Sequence, residues 1–286
     1  MRRLPTQDTA GIGIADAPSA PGPDDFPAFE RIPGDARTGL LLICDHASNA
    51  IPPAYGSLGL PPAELARHIG YDIGAAGVTR GLAARLESPA VLSCFSRLLI
   101  DPNRGEDDPT LVMRLSDGAV VPGNRHADAS EVEERLARFH RPYHHAIEAE
   151  IARALDAGIV PAIFSVHSFT PVWRGVPRPW HVALLWDSDP RFARPLIEAL
   201  AAPGDLIVGD NEPYDGALRN DCLFRHGTAR GLAHALIEIR QDLIADADGQ
   251  AEWAERLADL LPTLLARPDL HEITFFGSRT GPVAPI

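Results

Sequence analysis

The sequence predicts a three-layer α/β/α domain, and three observations carry that prediction. Short apolar runs rich in Val, Ile and Leu read as strands buried on both faces. Segments with apolar residues at helical spacing alternate with those runs, the order expected when helices cover a sheet. The runs also end in polar clusters, and in open α/β sheets functional groups gather where strands give way to loops.

Residues 1–29 read as a disordered tail, because punctuation such as Ala17-Pro18-Ser19-Ala20-Pro21-Gly22-Pro23 resists both helix and ladder formation. Arg2-Arg3 is followed by no sustained apolar core, so an export signal is not indicated. One domain is expected over residues 30–286, since no internal linker separates two cores. Strands are expected at Leu40 to Asp45, Ala90 to Phe95, Ala162 to His167, His181 to Trp186 and Ala235 to Arg240. Helices are expected at Gly70 to Leu86, Ser130 to Leu155, Pro190 to Leu200 and Ala251 to Leu265. Ser130 and Glu133 form a capping box for the second of these, and Gly158 is its stop.

Composition narrows the partners. The chain has 286 residues, 45% hydrophobic and 23% charged, which excludes disorder throughout and allows a substantial core. A formal net charge of −13 disfavours nucleic acid or an anionic membrane surface as the main partner. No apolar stretch approaches the roughly 18 residues of a membrane span. Cys44, Cys94 and Cys222 lie far apart with no CxxC pair, which points to a reducing, cytoplasmic setting and against a disulfide framework or a cysteine zinc knuckle. The GxSxG elbow, the GxxxxGK[ST] loop and a strand-anchored GxGxxG are all missing, so serine-hydrolase, NTPase and dinucleotide readings drop away.

What remains at the strand ends is chemistry of another kind. His46 and His167 each follow an apolar strand, where a rigid edge would hold the imidazoles as metal ligands; the alternative is that each hydrogen-bonds a loop. Glu238 lies inside an apolar strand, where a carboxylate is costly to desolvate. It is either a general base acting on metal-bound water or half of a buried ion pair with Arg240 or Arg225. Asn103-Arg104 sets an amide beside a guanidinium fork, suited to gripping a carboxylate, and Arg97 is placed to polarise a carbonyl. The alternative pairs both arginines with Glu106-Asp107-Asp108 at the surface. His140 and His144 stand at i,i+4 without an HExxH pattern; Tyr143 and His144 read as pocket lining and His140 as a structural histidine.

The segments Cys44 to Asn49, Ser96 to Arg104, Arg141 to His144, Val166-His167-Ser168, Asp210 to Tyr214, Arg225-His226-Gly227 and Ile237 to Leu243 together resemble the N-formylglutamate amidohydrolase family. The likeness runs in order from about Leu40 to Ile244. It implies a fold similar to zinc carboxypeptidases and aspartoacylase: a mixed, mostly parallel sheet flanked by helices, with one catalytic Zn2+ or another divalent metal. By the same resemblance His46 and His167 bind the metal, Asn103 and Arg104 hold the substrate carboxylate, Glu238 activates water and Arg97 steadies the oxyanion. Where relatives carry HxxE, this chain has Asn49, a neutral and weaker donor, so Asn49, Asp45 or Asp72 supplies the third ligand. Arg225, His226 and Tyr143 are expected around the pocket, facing a second substrate carboxylate.

The expected activity is metal-dependent hydrolysis of a small N-acyl amino acid, with N-formyl-L-glutamate as the named substrate. Two rivals keep parts of the pattern: a peptide amidase on the same scaffold, and a carboxylate-binding protein without catalysis. No residue pattern indicates how many chains associate.

Overall fold

The protein, seen in a computed structural model, is described over residues 26–286. The expected tail falls largely outside the described residues. Its last part does not: Phe26 packs edge-on against Phe139 at 6.3 Å, and the first strand opens at Phe29, so the folded chain starts before residue 30.

Eleven strands are present among the described residues: β1 (Phe29–Ile32), β2 (Leu40–Cys44), β3 (Ala90–Ser93), β4 (Leu115–Ser116), β5 (Ala119–Val120), β6 (Ala162–Phe169), β7 (Val172–Trp173), β8 (Val176–Pro177), β9 (Val182–Leu185), β10 (Val208–Asp210) and β11 (His234–Arg240). Seven of them form one sheet in the order β1-β3-β2-β6-β11-β9-β10. The four central strands β3, β2, β6 and β11 are parallel, while β1 and the β9–β10 pair run the other way. The expected three-layer α/β/α class with a mixed, mostly parallel sheet is the one observed.

Five of the strands sit where the apolar runs place them. Leu40 to Cys44 are all buried, and a fully buried Leu or Ile contributes roughly 1.5–3 kcal/mol of transfer free energy, so this run has no stable place but the sheet centre. The edge strands β1 and β10 escape a sequence reading because they are short and carry charge or glycine; Glu30 and Arg31 are the polar residues an edge needs to resist further pairing.

Helices α1 (Pro62–Leu65), α2 (Ala75–Leu86), α3 (Ala129–Arg135), α4 (Arg141–Asp156), α5 (Ala193–Ala201), α6 (Cys222–His226) and α7 (Ala247–Leu265) complete the fold. One core joins Val78 and Leu82 of α2, Leu196 of α5 and Leu257 of α7 to Phe164, Val166 and Ile237 of the sheet. The opposite face packs Tyr143, Ile147 and Ile151 of α4 on Leu41, Ile43 and Ile163. No helix of the described residues is long and apolar enough to cross a membrane.

The long helix expected from Ser130 to Leu155 is interrupted. Pro142 has no amide proton and its ring displaces the carbonyl four residues back, and Leu136–His140 winds as a π-helical turn between α3 and α4. The cap also differs from expectation: Asp128, not Ser130, accepts from the Glu131 amide at 3.0 Å. Gly158 stands just past the end of α4 with φ +78°, in the left-handed region a helix stop favours.

Candidate metal centre and substrate cavity

Because the four central strands are parallel, their C-terminal ends share one edge of the sheet. Asp45 and His46 leave β2 there, Arg97 to Arg104 follow β3, His167 is near the end of β6, and Glu238 is its register partner on β11. A cavity of about 370 Å³ opens at this edge and is lined by His46, Asp72, Arg97, Asn103, Arg104, His167 and Glu238, among others.

The two imidazoles lie edge to face with centroids 4.9 Å apart. His46 Nδ1 and His167 Nδ1 stand 3.4 and 2.8 Å from the same atom, Asp72 Oδ2. Their far nitrogens are each held by another carboxylate: His46 Nε2 is 2.7 Å from Asp101 Oδ1, and His167 Nε2 is 2.9 Å from Asp45 Oδ2. A carboxylate at Nε2 orients each ring and turns its Nδ1 inward toward Asp72, the support that metal-ligating histidines ordinarily have. Asp45 is itself fixed, accepting from Tyr143 Oη at 2.9 Å and from Ser165 Oγ at 3.0 Å.

The donors of His46, Asp72 and His167 all lie within 4.8 Å of one another and are buried, a set that fits a divalent cation of the zinc type. Charge supports that fit. Three buried carboxylates, Asp45, Asp72 and Asp101, face one guanidinium, Arg97, and two imidazoles, so the cluster is short of positive charge. Burial would lower the His167 pKa, but its hydrogen bonds to Asp45 and Asp72 outweigh burial and hold it well above the ordinary imidazole range. Burial likewise works to raise Asp45, Asp72 and Asp101, yet contact with His46, His167 and Arg97 keeps all three below the usual carboxylate range.

Asn49, expected as a metal ligand, is turned away from the two imidazoles. Its side-chain amide donates to Leu65 O at 3.0 Å, and it is not part of the cavity wall. Asp72 is the carboxylate that lies beside both imidazoles, placed by the hydrogen bond its backbone N–H donates to His46 O at 3.0 Å and by the turn at Gly74. That glycine has φ +82°, and a Cβ would meet Ile244 O at 2.1 Å, so only glycine lets the loop pass so close to the turn that follows β11.

Among the described residues Glu238 has no arginine partner. Arg240 pairs with Asp242 and Arg225 with Glu148, which removes the buried ion pair weighed from the sequence. Its Oε2 is buried without a hydrogen-bond partner among the described residues, and burial, reinforced by the charge of Asp72, pushes its pKa up to about 8. Arg97 donates to Asp101 Oδ2 at 2.8 Å and lies 3.6 Å from Asp72 Oδ1, so it braces the carboxylates as well as lining the cavity. Arg104 donates to Thr110 Oγ1 at 3.3 Å and to Asn103 O at 2.8 Å, with no carboxylate closer than Asp108 at 4.0 Å, so its Nη2 is the uncommitted donor; Asn103 spends its Oδ1 on the Cys222 amide, leaving its NH2 group as donor.

Four expected pocket residues lie elsewhere. The Tyr143 hydroxyl is spent on Asp45, behind His167. His144 Nδ1 and His226 Nε2 are 2.8 Å apart in a separate buried group with Cys222. Arg225, bound to Glu148, lines with His144 a second cavity of about 410 Å³ that shares no residue with the first. All four come from α4 and α6, whose packing no strand-end pattern reveals. Sequence reasoning also passed over Asp101 and Asp221, the latter pushed up to about 7 by burial in the cavity wall.

Comparison with known proteins gives the chain its family and its fold relatives. The chain is similar to the crystal structure of gene product Atu2144 from Agrobacterium tumefaciens, with 34% identity and a TM-score of 0.79 over 83% of this chain and 94% of that one. It is also similar in fold to N-formylglutamate amidohydrolase from Ralstonia eutropha JMP134, with 21% identity and a TM-score of 0.66 over 83% of this chain and 96% of that one. No curated protein matches the sequence. The sequence pattern of the N-formylglutamate amidohydrolase family matches residues 38–245, and the chain belongs to that family.

Proposed function

We propose that the protein is a metal-dependent amidohydrolase that cleaves a small N-acyl amino acid, with N-formyl-L-glutamate as the substrate. The observation that carries this reading is the convergence of His46, Asp72 and His167 on one point, with the unpaired carboxyl of Glu238 on the neighbouring strand in register with His167. His46, His167 and Asp72 would hold the metal, which when bound supplies Lewis acidity and a water of lowered pKa. Glu238 takes the proton from the attacking water and returns it to the departing amine nitrogen. A carboxyl poised near neutrality by burial is suited to both transfers.

Arg104 and the Asn103 amide grip the substrate carboxylate and fix the acyl group toward Glu238. Arg97, held by Asp101 and Asp72, presents positive charge to the oxygen that becomes anionic during attack. A cytoplasmic setting suits the three free cysteines.

The peptide-amidase rival requires an open groove, whereas the cavity is of small-molecule size. Formate release from N-formyl-L-glutamate by the purified protein tests the reading. Hydrolysis of this substrate well ahead of N-terminally blocked dipeptides is expected. Cleavage of peptides alone, or binding without turnover, would contradict it.

A further inference from the structure

The residues first expected to meet a second substrate carboxylate are committed elsewhere, yet one cation beside the cavity is not. Arg178 directly follows β8 and is nine-tenths buried. Its guanidinium lies among three aromatic rings, 5.6 Å from Phe169, 5.5 Å from Trp173 and 5.0 Å from Tyr214. Arg178 stands just behind the wall of the cavity that holds His46, His167 and Glu238, and three of the residues it packs on or bonds to, Phe169, Thr170 and Tyr214, belong to that wall.

A guanidinium has five donors, and a buried one is costly unless its charge and donors are matched. Nη1 of Arg178 donates to Thr170 O at 3.3 Å and Thr170 Oγ1 at 3.1 Å, and the guanidinium also acts on the neighbouring Tyr214 hydroxyl. No carboxylate among the described residues lies within 4.0 Å of it, in contrast to Arg97, Arg225 and Arg240. Ring faces recover part of the cost but do not satisfy N–H groups. Nε and Nη2 are not among the sealed, unpartnered donors and so are open to a ligand; they form the side-on edge of the guanidinium, the fork that accepts a carboxylate through two parallel bonds.

Resting on the hydrolase reading above, we propose that Arg178 is the residue that selects an acidic side chain in the substrate: its Nε/Nη2 edge receives the second carboxylate while Arg104 and Asn103 hold the first. Phe169, Trp173 and Tyr214 pack around the guanidinium and keep the fork in one plane. A neutral side chain of the same size leaves this buried cation unmatched, so the site discriminates by what it fails to satisfy. The selected substrates are N-acyl derivatives of dicarboxylic amino acids, and their amides are rejected.

Calorimetric binding of L-glutamate and L-glutamine to the metal-loaded protein, with turnover of their N-formyl derivatives measured in parallel, tests the proposal. Wild type is expected to favour the acid about 10- to 100-fold, the range of a charge-assisted hydrogen-bond pair. Arg178→Gln should erase that ratio mainly by weakening the acid, and Arg178→Lys, which keeps charge and packing but not the fork, should retain a reduced ratio. An equal loss for both ligands, or an unchanged ratio with a lowered melting temperature, would assign Arg178 to holding the β7–β8 hairpin and overturn the proposal. So would equal binding of both ligands by wild type. Because binding is read apart from turnover, selective binding without hydrolysis would instead remove the hydrolase reading and leave the role of Arg178 standing.

Discussion

Glu238→Gln is expected to lower kcat on N-formyl-L-glutamate by about 10²- to 10⁴-fold while changing KM little, because the substitution keeps the shape of the side chain and removes the proton acceptor. The same change should stabilise the metal-free protein. Burial raises the carboxyl from 4.5 to about 8 in the fold, so the native state binds more protons than the unfolded chain between those values. Stability of the wild type therefore falls as pH rises from 4.5, and the full cost is present above about 8. Glutamine has no such cost. Urea unfolding of the two metal-free proteins should give equal stability near pH 4 and an advantage for Glu238→Gln of a few kcal/mol, about 2–4, at pH 9. An active Glu238→Gln enzyme would remove this residue from proton transfer. Equal stabilities at pH 9 would mean that the carboxyl is not desolvated as the structure has it.

Asp72→Asn is expected to cost about 10³-fold or more in kcat/KM, with metal affinity falling in parallel. Asp72 is the anionic donor of its set, and an amide in its place removes both charge and ligand strength where two imidazoles alone must hold a divalent ion. Part of the loss should return at high metal concentration. Asn49→Ala is the matched comparison: its amide reaches Leu65 O and does not face the cavity, so metal content and activity should stay near those of wild type. If instead Asn49→Ala lost the metal and Asp72→Asn kept it, the ligand assignment would be reversed.

How much of this could be read from the sequence depended on whether a residue's neighbours were dictated by its strand or by tertiary packing. Strand ends were legible, because buried apolar runs announce the sheet and parallel strands bring their ends to one edge. His46, Arg97, Asn103, Arg104, His167 and Glu238 all follow or lie in such runs, and all line the same cavity. Asp72 stood open as one of three candidates for the third position. Its place is decided by the Gly70 to Gly74 turn packing against Ile244, a contact no local pattern contains.

Tyr143, His144, Arg225 and His226 show the opposite limit. Their polarity and order along the chain suggested a pocket, yet on α4 and α6 a polar side chain can turn under the sheet edge as readily as over it. Tyr143 does the former, bracing Asp45 behind His167. Arg178 gave no sequence signal at all, since a single arginine after a short exposed hairpin looks like solvated surface; its surroundings come from rings contributed by three separate segments.

The central claim is that one cation shared by His46, His167 and Asp72 is required for amide hydrolysis. Titrating Zn2+ into chelator-treated protein while recording formate release from N-formyl-L-glutamate tests it most directly. The account predicts no activity at zero metal and recovery that saturates at one equivalent per chain. Full activity in the metal-free protein would contradict it.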